Sequence, residues 1–324
     1  MTSRERVLKA LNLGRADKVP FIDVPDIEIE KAIMGSGRYD KADVAFAFGM
    51  DAIPYDGFFP PVFAKKSLIG GKEYIVEGLI KEESDLAMVK LPDPDDDAFY
   101  ADAKRFIDRY KGCGYALCAR TRLGASAALN SMGLESFSYN LADETGVVER
   151  LLDLYTQWSA KVIEHINTLG FDFIWCFDDI AYKSGPMFSP EVFRKVLLPR
   201  MKTAADACRL PWIYHSDGNL MPVIDDLLEL GMNGLHPIEP GAMDIELVKN
   251  IYGKRVCIIG NIDLHYTLTL GSVEEVETEV RERIAKIGQN GGYIISSANS
   301  ITSYCKVENV RAMIDAIKKY RDYQ

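Results

Sequence analysis

The residues best suited to chemistry are polar side chains that follow short apolar runs, where a strand would end. The run WIYHSDGN carries His215 and Asp217 two positions apart, and residues i and i+2 of an extended strand point to the same side. His215 is one of four histidines in the chain, and imidazole acts as a base or a metal ligand near neutral pH. We therefore expect His215 and Asp217 to face one cavity as catalytic residues.

Other apolar runs carry polar residues at their ends in the same way. FIWCFDD ends in Asp178 and Asp179, LHPIEP carries Glu239, CIIGNID carries Asn261 and YIISSANS carries Asn299. Any one such residue can instead cap a helix or anchor a loop. Several desolvated acids in one place, however, cost stability unless a substrate, a proton or a metal uses them. We predict catalytic roles for Asp178 and Glu239, and substrate contacts for Asp179, Asn261 and Asn299.

A metal site is a second use for these residues. His215, Asp217 and Glu239 offer one nitrogen and two carboxylates, a donor set that can hold Zn²⁺ or another divalent ion. His236 lies on the same predicted strand as Glu239 and is placed to join them. The set lacks the thiolates that make a zinc prediction strong from sequence.

Substrate contacts are also predicted for one cation and one aromatic residue. Arg120 and Arg122 end the third predicted strand and are the obvious cations of the ring of strand ends. We expect Arg122 to contact the substrate, and Tyr55, near the end of the second strand, to line the pocket. The alternative for Tyr55 is packing in the core.

The elements that carry these residues alternate between strands and helices. From about residue 116 onward, short apolar runs alternate with amphipathic helical stretches, which is typical of parallel strands joined by crossover helices. With two earlier runs, the predicted strands are 19–24, 51–55, 116–122, 172–178, 212–217, 234–239, 256–262 and 293–298. Eight strands without a GxGxxG motif after the first favour an α/β fold of the (β/α)8 TIM-barrel type over an open sheet. The carboxyl ends of barrel strands face the active site, which would bring the polar residues together.

Several features lie outside this repeating pattern. The chain opens with a charged amphipathic helix, and residues 65–83 read as a β-hairpin insertion with a turn at Gly70–Gly71. A helix is predicted to begin at Ser189 and to kink or break at Pro199. A barrel of roughly 250 residues plus these extensions accounts for the length, so residues 1–324 are expected to form a single domain.

Composition limits the classes of partner. The formal net charge is −10 with a pI near 5.1, and an acidic surface repels nucleic acid and anionic membranes. No apolar run approaches ~18 residues, and the opening helix lacks the apolar core of a secretory signal. The six cysteines are scattered, which predicts reduced thiols. We expect a soluble, cytoplasmic protein that binds neither nucleic acid nor membrane.

Five stretches in order resemble the uroporphyrinogen decarboxylase superfamily, which also includes corrinoid-dependent methyltransferases. They are RERVLKALNLGRADKVP, SPEVFRKVLLPRMK, YHSDGNLMPVIDDLLELGMNGLHPIEP, GNIDLHYTL and VENVRAMIDA. The resemblance covers nearly the whole chain and implies the barrel. The decarboxylases grip tetrapyrrole carboxylates with an Arg-rich segment after the first strand, whereas this chain has FIDVPDIEIEKAIMG there. An acidic segment would repel a polycarboxylate, so the resemblance does not extend to uroporphyrinogen as the substrate.

The resemblance is closer to the methyltransferase-like members. The coenzyme M methyltransferases of the superfamily carry a zinc site of His-x-Cys and a later Cys, and this chain has His215, Asp217 and Asn299 at those positions. Replacing both thiolates implies oxygen or nitrogen chemistry more than activation of a thiol.

The implied function is the methyltransferase component of a corrinoid-dependent system. Such a component moves a methyl group between a small methyl ether or methylamine and a corrinoid, such as methylcobalamin, on a partner corrinoid protein. His215 would be acid, base or zinc ligand, with Asp217 and Glu239 as partners. The alternatives are a decarboxylase of a small organic acid and a non-catalytic protein that binds a corrinoid or tetrapyrrole.

Overall fold

A parallel sheet of seven strands forms the centre of the molecule. The computed structural model describes residues 1–69 and 72–323. The strands are β1 Ala52–Tyr55, β2 Ala64–Ile69, β3 Lys72–Gly78, β4 Ala116–Thr121, β5 Phe173–Phe177, β6 Ala181–Tyr182, β7 Gly185–Pro186, β8 Trp212–His215, β9 Gly234–His236, β10 Cys257–Ile259 and β11 Tyr293–Ile294. The sheet runs in the order β1-β4-β5-β8-β9-β10-β11, and each neighbouring pair is parallel. The carboxyl ends of all seven therefore lie at one edge.

The predicted first strand, 19–24, closes this sheet into a barrel without forming a regular strand. Phe21 pairs in parallel with Ile295 after β11, and its carbonyl accepts a hydrogen bond of 2.7 Å from the backbone N–H of Asp51 before β1. The segment thus lies between the first and last strands of the sheet. Prolines within and beside it lack the N–H that a continuous ladder needs. The predicted TIM-type barrel is confirmed, with this segment in the eighth position.

Helices surround the barrel and also close one end of it. The helices are α1 Ser3–Leu11, α2 Ile27–Met34, α3 Lys41–Phe48, α4 Ala101–Tyr110, α5 Ala125–Met132, α6 Leu134–Ala142, α7 Val147–Leu169, α8 Pro190–Val192, α9 Leu198–Ala205, α10 Ile224–Leu228, α11 Ile245–Tyr252, α12 Val273–Arg283 and α13 Val307–Tyr320. Shorter 3₁₀ turns cover Glu83–Met88 and Asp97–Tyr100, and π turns cover Phe193–Leu197 and Ile284–Gly288.

The interior of the barrel is filled from the amino end. Buried residues of α1 and of the inward face of the strands form one cluster: Val7, Ala10, Leu11, Ile22, Ala52, Ala116, Cys118, Phe173, Trp175, Ile213, Cys257, Ile259 and Ile294. Because every second residue of a strand shares a face, Arg120, Phe177 and His215 continue this inward face toward the carboxyl ends. The N-terminal helical extension is therefore the plug beneath the site.

The helix at residues 190–205 passes through Pro199 without ending. The side chain of Ser189 caps it by accepting a hydrogen bond from the N–H of Val192, as predicted. The turn Phe193–Leu197 is π-helical, and Pro199 lies directly after it at the start of α9. In this π turn the backbone N–H of Leu198 bonds to the carbonyl of Phe193, five residues earlier. The helical turns then continue past Pro199, although proline has no N–H to donate. Of the kink or break predicted at Pro199, the break is wrong, because helical turns continue to Ala205; the kink stays a prediction.

The predicted hairpin insertion is confirmed in its strands. β2 and β3 pair antiparallel from Ala64 opposite Gly78, with a bulge between Lys65 and Lys66. The predicted turn at Gly70–Gly71 lies outside the described residues.

Two expectations from composition concern cysteines and membranes. The six cysteines are free thiols. Over 1–69 and 72–323, the helices are too short or too polar to cross a bilayer.

Candidate active site

His215 lies at the carboxyl end of β8, inside the barrel mouth. Its ring is 4% exposed and packs against the ring of Phe177 at 4.7 Å between centroids. Its Nε2 lies 3.5 Å from Oδ1 of Asp179 and 3.8 Å from Oδ1 of Asp217. Burial lowers the pKa of His215, and the nearby Arg122 guanidinium lowers it further, against the opposing charge of Asp179. Burial thus favours the neutral form of the ring.

A second histidine is bound directly to the first. Nδ1 of His215 lies 2.6 Å from Nδ1 of His236 at the end of β9, and the two rings stack at 4.9 Å between centroids. Burial lowers the pKa of His236 well below its ordinary value, and the neighbouring His215 adds to this. One of two facing neutral nitrogens must carry the hydrogen and the other must accept it. If His215 donates from Nδ1, its Nε2 carries a free lone pair directed at the two carboxylates.

Asp217 is held close to His215 by its neighbours. Its Oδ2 accepts a hydrogen bond from the side-chain amide of Asn299 after β11, and its backbone N–H donates to Oδ1 of Asp179 at 3.2 Å. Its Oδ1 is buried and has no hydrogen-bond partner within residues 1–69 and 72–323. Burial raises the pKa of Asp217 to about 8, and the charges of Asp179 and Glu239 contribute. A carboxylic acid that stays protonated near neutral pH can donate a proton.

Three of these residues can hold a metal ion. One donor atom each from Asp179, His215 and Asp217 lie within 4.8 Å of one another. One imidazole nitrogen and two carboxylate oxygens suit Zn²⁺ and similar divalent ions. A buried acceptor without a partner costs folding free energy, and a bound cation would supply the partner that Oδ1 of Asp217 lacks among the described residues. The three donor residues therefore fit a divalent metal ion.

The predicted ligand Glu239 is placed beside this group and makes other contacts. Its Oε2 accepts a hydrogen bond of 2.8 Å from the backbone N–H of Gly218, and its Oε1 lies 3.4 Å from both Nζ of Lys183 and Nε2 of His265. It fixes the loop after β8 and adds negative charge near Asp217.

Asp178 and Asp179 are adjacent in sequence but point to different surroundings. Asp178 is fully buried, and its carboxylate accepts hydrogen bonds from the backbone N–H groups of Leu123, Gly124 (3.2 Å) and Ser126 (2.6 Å). Burial raises its pKa. Asp178 thus anchors the loop after β4 and the first residues of α5.

Arg120 in β4 and Arg122 directly after it differ in their partners. Arg120 is buried and pairs with Asp56 after β1, with Nη2 2.5 Å from Oδ2. Nη1 of Arg122 lies 3.3 Å from Oγ of Ser126, and its guanidinium carbon lies 5.7 Å from the ring centroid of Phe59.

The remaining predicted substrate contacts lie further from the mouth or face the backbone. Tyr55 packs with Phe58, Phe106 and Phe171 at centroid distances of 5.0 to 5.9 Å, in the layer between strands and helices. Asn261 is buried, and its side-chain amide donates to the carbonyl of Ile238 at 2.5 Å. The structure does not bring either side chain to the His215 group.

The sequence pattern predicts His236 beside the metal-binding residues, but it does not predict the contact of its Nδ1 with His215. Asp23 was missed from the sequence; it is a buried carboxylate that accepts hydrogen bonds from the N–H (2.8 Å) and Oγ (2.7 Å) of Ser297. Burial raises the pKa of Asp23 to about 6. The available signal was a carboxylate inside the apolar run VPFIDV.

One large surface cavity lies away from the mouth. It has a volume of about 940 Å³ and lies between α7, α9 and the loop at residues 91–94. None of the mouth residues described above lines it.

Similar proteins agree with the fold. The chain is 25% identical over 194 residues to the methylcobamide:CoM methyltransferase MtaA of Methanosarcina barkeri, covering 60% of this chain and 55% of that protein. It is 21% identical over 345 residues to the uroporphyrinogen decarboxylase of Neisseria meningitidis serogroup C, covering 98% and 90%. Among solved structures, a methyltransferase from Methanosarcina mazei superposes with a TM-score of 0.77 at 21% identity, covering 99% of both chains.

A family model matches more than half of the chain. The model of Uroporphyrinogen decarboxylase (URO-D) matches residues 75–320. This range takes in β4 through α13 and every predicted site residue except Tyr55. The chain belongs to the uroporphyrinogen decarboxylase (URO-D) family.

Proposed function

We propose that this protein is the methyltransferase component of a corrinoid-dependent system, acting on a small methylated substrate and a corrinoid carried by a partner protein. The observation that carries the proposal is the group of Asp179, His215 and Asp217 donor atoms, within 4.8 Å of one another at the barrel mouth. The similarity to a methylcobamide:CoM methyltransferase, which spans 55% of that relative, supports the reaction class.

Asp179, His215 and Asp217 would hold a zinc ion in this account. A bound Zn²⁺ acts as a Lewis acid on the oxygen or nitrogen that leaves the methyl group. Carboxylates replace the thiolates of a thiol-activating site, so the donor set favours an ether or amine substrate.

The leaving group needs a proton, and Asp217 would not donate it while it binds zinc. For a methyl ether, the C–O bond would break as the corrinoid cobalt(I) supplies an electron pair to the methyl carbon, and the leaving oxygen would take a proton from water. Without zinc, burial among acids keeps a proton on Asp217 up to about pH 8, and zinc would displace that proton when the carboxylate becomes a ligand. Asp217, next to Nε2 of His215, would therefore act as a ligand of the ion that stabilises the leaving oxygen.

Other predicted residues act on the geometry of the site. Asn299 holds Oδ2 of Asp217, and Glu239 holds the backbone of Gly218, directly after Asp217. Asp178 holds the loop that follows Arg122. We assign these residues to positioning, and metal binding to Asp179, His215 and Asp217.

The test is methyl transfer to free cob(I)alamin with zinc-loaded protein. We expect methylcobalamin to form, followed by its absorbance, from at least one of 4-methoxybenzoate, methoxybenzene and trimethylamine. His215→Ala should reduce the rate of methyl transfer by about 100-fold or more, because it removes a metal ligand and the contact with His236. The matched control is His165→Ala. His165 lies on α7, so this substitution should leave the rate of methyl transfer unchanged. Unchanged transfer by His215→Ala would refute the site.

A second candidate is a decarboxylase of a small organic acid. Arg122, a cation at the mouth without a carboxylate partner among the described residues, favours it. Release of carbon dioxide without methyl transfer, from 4-methoxybenzoate or another small carboxylic acid, would select this function instead.

A further inference from the structure

Two arginines near the carboxyl end of β4 have different partners: Arg120 lies within the strand, and Arg122 follows it directly. Arg120 is neutralised by Asp56 through two hydrogen bonds. Within residues 1–69 and 72–323, Arg122 has no carboxylate at ion-pair distance. Its Nη1 donates a hydrogen bond to the hydroxyl of Ser126 at 3.3 Å, and its buried Nε has no hydrogen-bond partner among the described residues.

An arginine left in this state is costly to the folded protein. The guanidinium is always charged, and a half-buried charge without a partner loses hydration that nothing replaces. Asp178 lies in the same region and influences Arg122 electrostatically, but its oxygens are occupied by backbone N–H groups. An anion from outside the chain would supply the missing partner, and the planar fork of Arg matches a carboxylate with two hydrogen bonds.

An aromatic surface connects Arg122 to the reacting group. The guanidinium carbon of Arg122 lies 5.7 Å from the ring of Phe59, that ring lies 6.0 Å from the ring of Phe177, and Phe177 lies 4.7 Å from the ring of His215. Aromatic rings at these separations offer a flat apolar surface on which another ring can pack. Positive charge therefore ends one side of this surface, and the His215 group ends the other.

We propose that the substrate is a small carboxylate with a flat apolar body. Its carboxylate pairs with Arg122, its body packs on Phe59 and Phe177, and its methylated oxygen faces His215 and Asp217. This inference rests on the proposed function only for the reacting end, since the carboxylate contact does not require methyl transfer. A positively charged methylamine would be repelled by Arg122, so the substrate is an anionic methyl ether.

The experiment measures binding, not turnover. 4-Methoxybenzoate and its neutral counterpart methoxybenzene are titrated into the wild-type protein and into Arg122→Gln, with heat of binding as the readout. We expect Arg122→Gln to weaken the binding of 4-methoxybenzoate by about tenfold or more, because a charge-assisted contact is lost. The affinity for methoxybenzene should not change. Arg194→Gln, which removes an exposed arginine paired with Asp226, is the matched control and should change neither.

The outcomes separate this inference from the proposed function. Equal binding of 4-methoxybenzoate by the wild type and Arg122→Gln, or no binding by the wild type, would overturn the inference. Arg122-dependent binding without methyl transfer to cob(I)alamin would support the inference and count against the proposed function. Arg122→Lys keeps the charge and should retain part of the affinity, which separates a lost contact from a misfolded variant.

Discussion

Replacing His236 with Phe tests the paired histidines most sharply. The substitution keeps a ring in the stack with His215 and removes the nitrogen that lies 2.6 Å from Nδ1 of His215. Both side chains are buried, so water does not replace the lost partner without rearrangement. Nδ1 of His215 is left unpaired, or the ring adopts the tautomer that places a hydrogen on Nε2 and blocks its lone pair.

The size of the effect follows from the type of contact. Partners that orient a metal-ligating histidine typically contribute roughly 10–100-fold to metal affinity, which corresponds to about 1.4–2.7 kcal/mol. An unpaired buried nitrogen costs about 1–3 kcal/mol of folding free energy in addition. We therefore expect His236→Phe to bind Zn²⁺ roughly 10–100-fold more weakly and to unfold at a lower temperature.

The assay is competition between the protein and a chelating dye for Zn²⁺, at about pH 8.5, where Asp217 is largely ionised. His236→Gln retains a hydrogen-bonding amide and should recover part of the affinity. His165→Phe is the control, because His165 stacks on Tyr100 far from the mouth and should not change zinc binding. If folded His236→Phe binds zinc as tightly as the wild type, His236 does not position His215.

Three further predictions concern protons and positioning. Zinc affinity should rise with pH up to about 8 and then level off, because zinc must displace the proton that Asp217 holds below its raised pKa. Zinc titrations between about pH 6 and 9 would show this rise, and an affinity that does not change with pH would refute it. Asn299→Ala removes the hydrogen bond that lowers the pKa of Asp217, so this rise should move to higher pH; an unshifted profile would show that Asn299 does not tune Asp217. Asp23 has a pKa of about 6 when folded and about 3.9 when unfolded; the folded state therefore binds more protons between these values, and stability should fall by about 3 kcal/mol as pH rises through them. Urea unfolding should show this fall in the wild type and its loss in Asp23→Asn, whatever the absolute stability of that variant, and an equal fall in both would contradict the assignment.

The barrel and the place of the site were predictable from the sequence. Apolar runs alternating with helices predict parallel strands, and parallel strands in a barrel bring their carboxyl ends together. His215 and Asp217 were placed on one side by their spacing alone, and the structure puts both at the mouth.

Which neighbouring acid joins His215 was harder to predict. Asp178 and Asp179 follow the same strand, and the alternation of side chains sends only one of them inward, along the face of Trp175 and Phe177. Applied to β5, that rule would have selected Asp179 for the metal group. Applied to β1, it would have turned Tyr55 toward the helices, where the structure places it.

Contacts between strands could not be predicted in the same way. The meeting of His215 with His236 depends on the register of β8 against β9, which places the two residues opposite each other. The engagement of Glu239 with Gly218 depends on the path of the loop after β8. Neither the strand register nor the path of this loop can be predicted from a single sequence, because both depend on how the whole barrel closes.

Transfer of a labelled methyl group tests the central claim most directly. Zinc-loaded protein is incubated with cob(I)alamin and 4-methoxybenzoate that carries a deuterated methyl group, and the cobalamin is analysed by mass spectrometry. The proposal predicts deuterated methylcobalamin with an equal amount of 4-hydroxybenzoate, and loss of both products in His215→Ala. Unlabelled cobalamin together with released carbon dioxide, or labelled cobalamin at the same rate in His215→Ala, would contradict it.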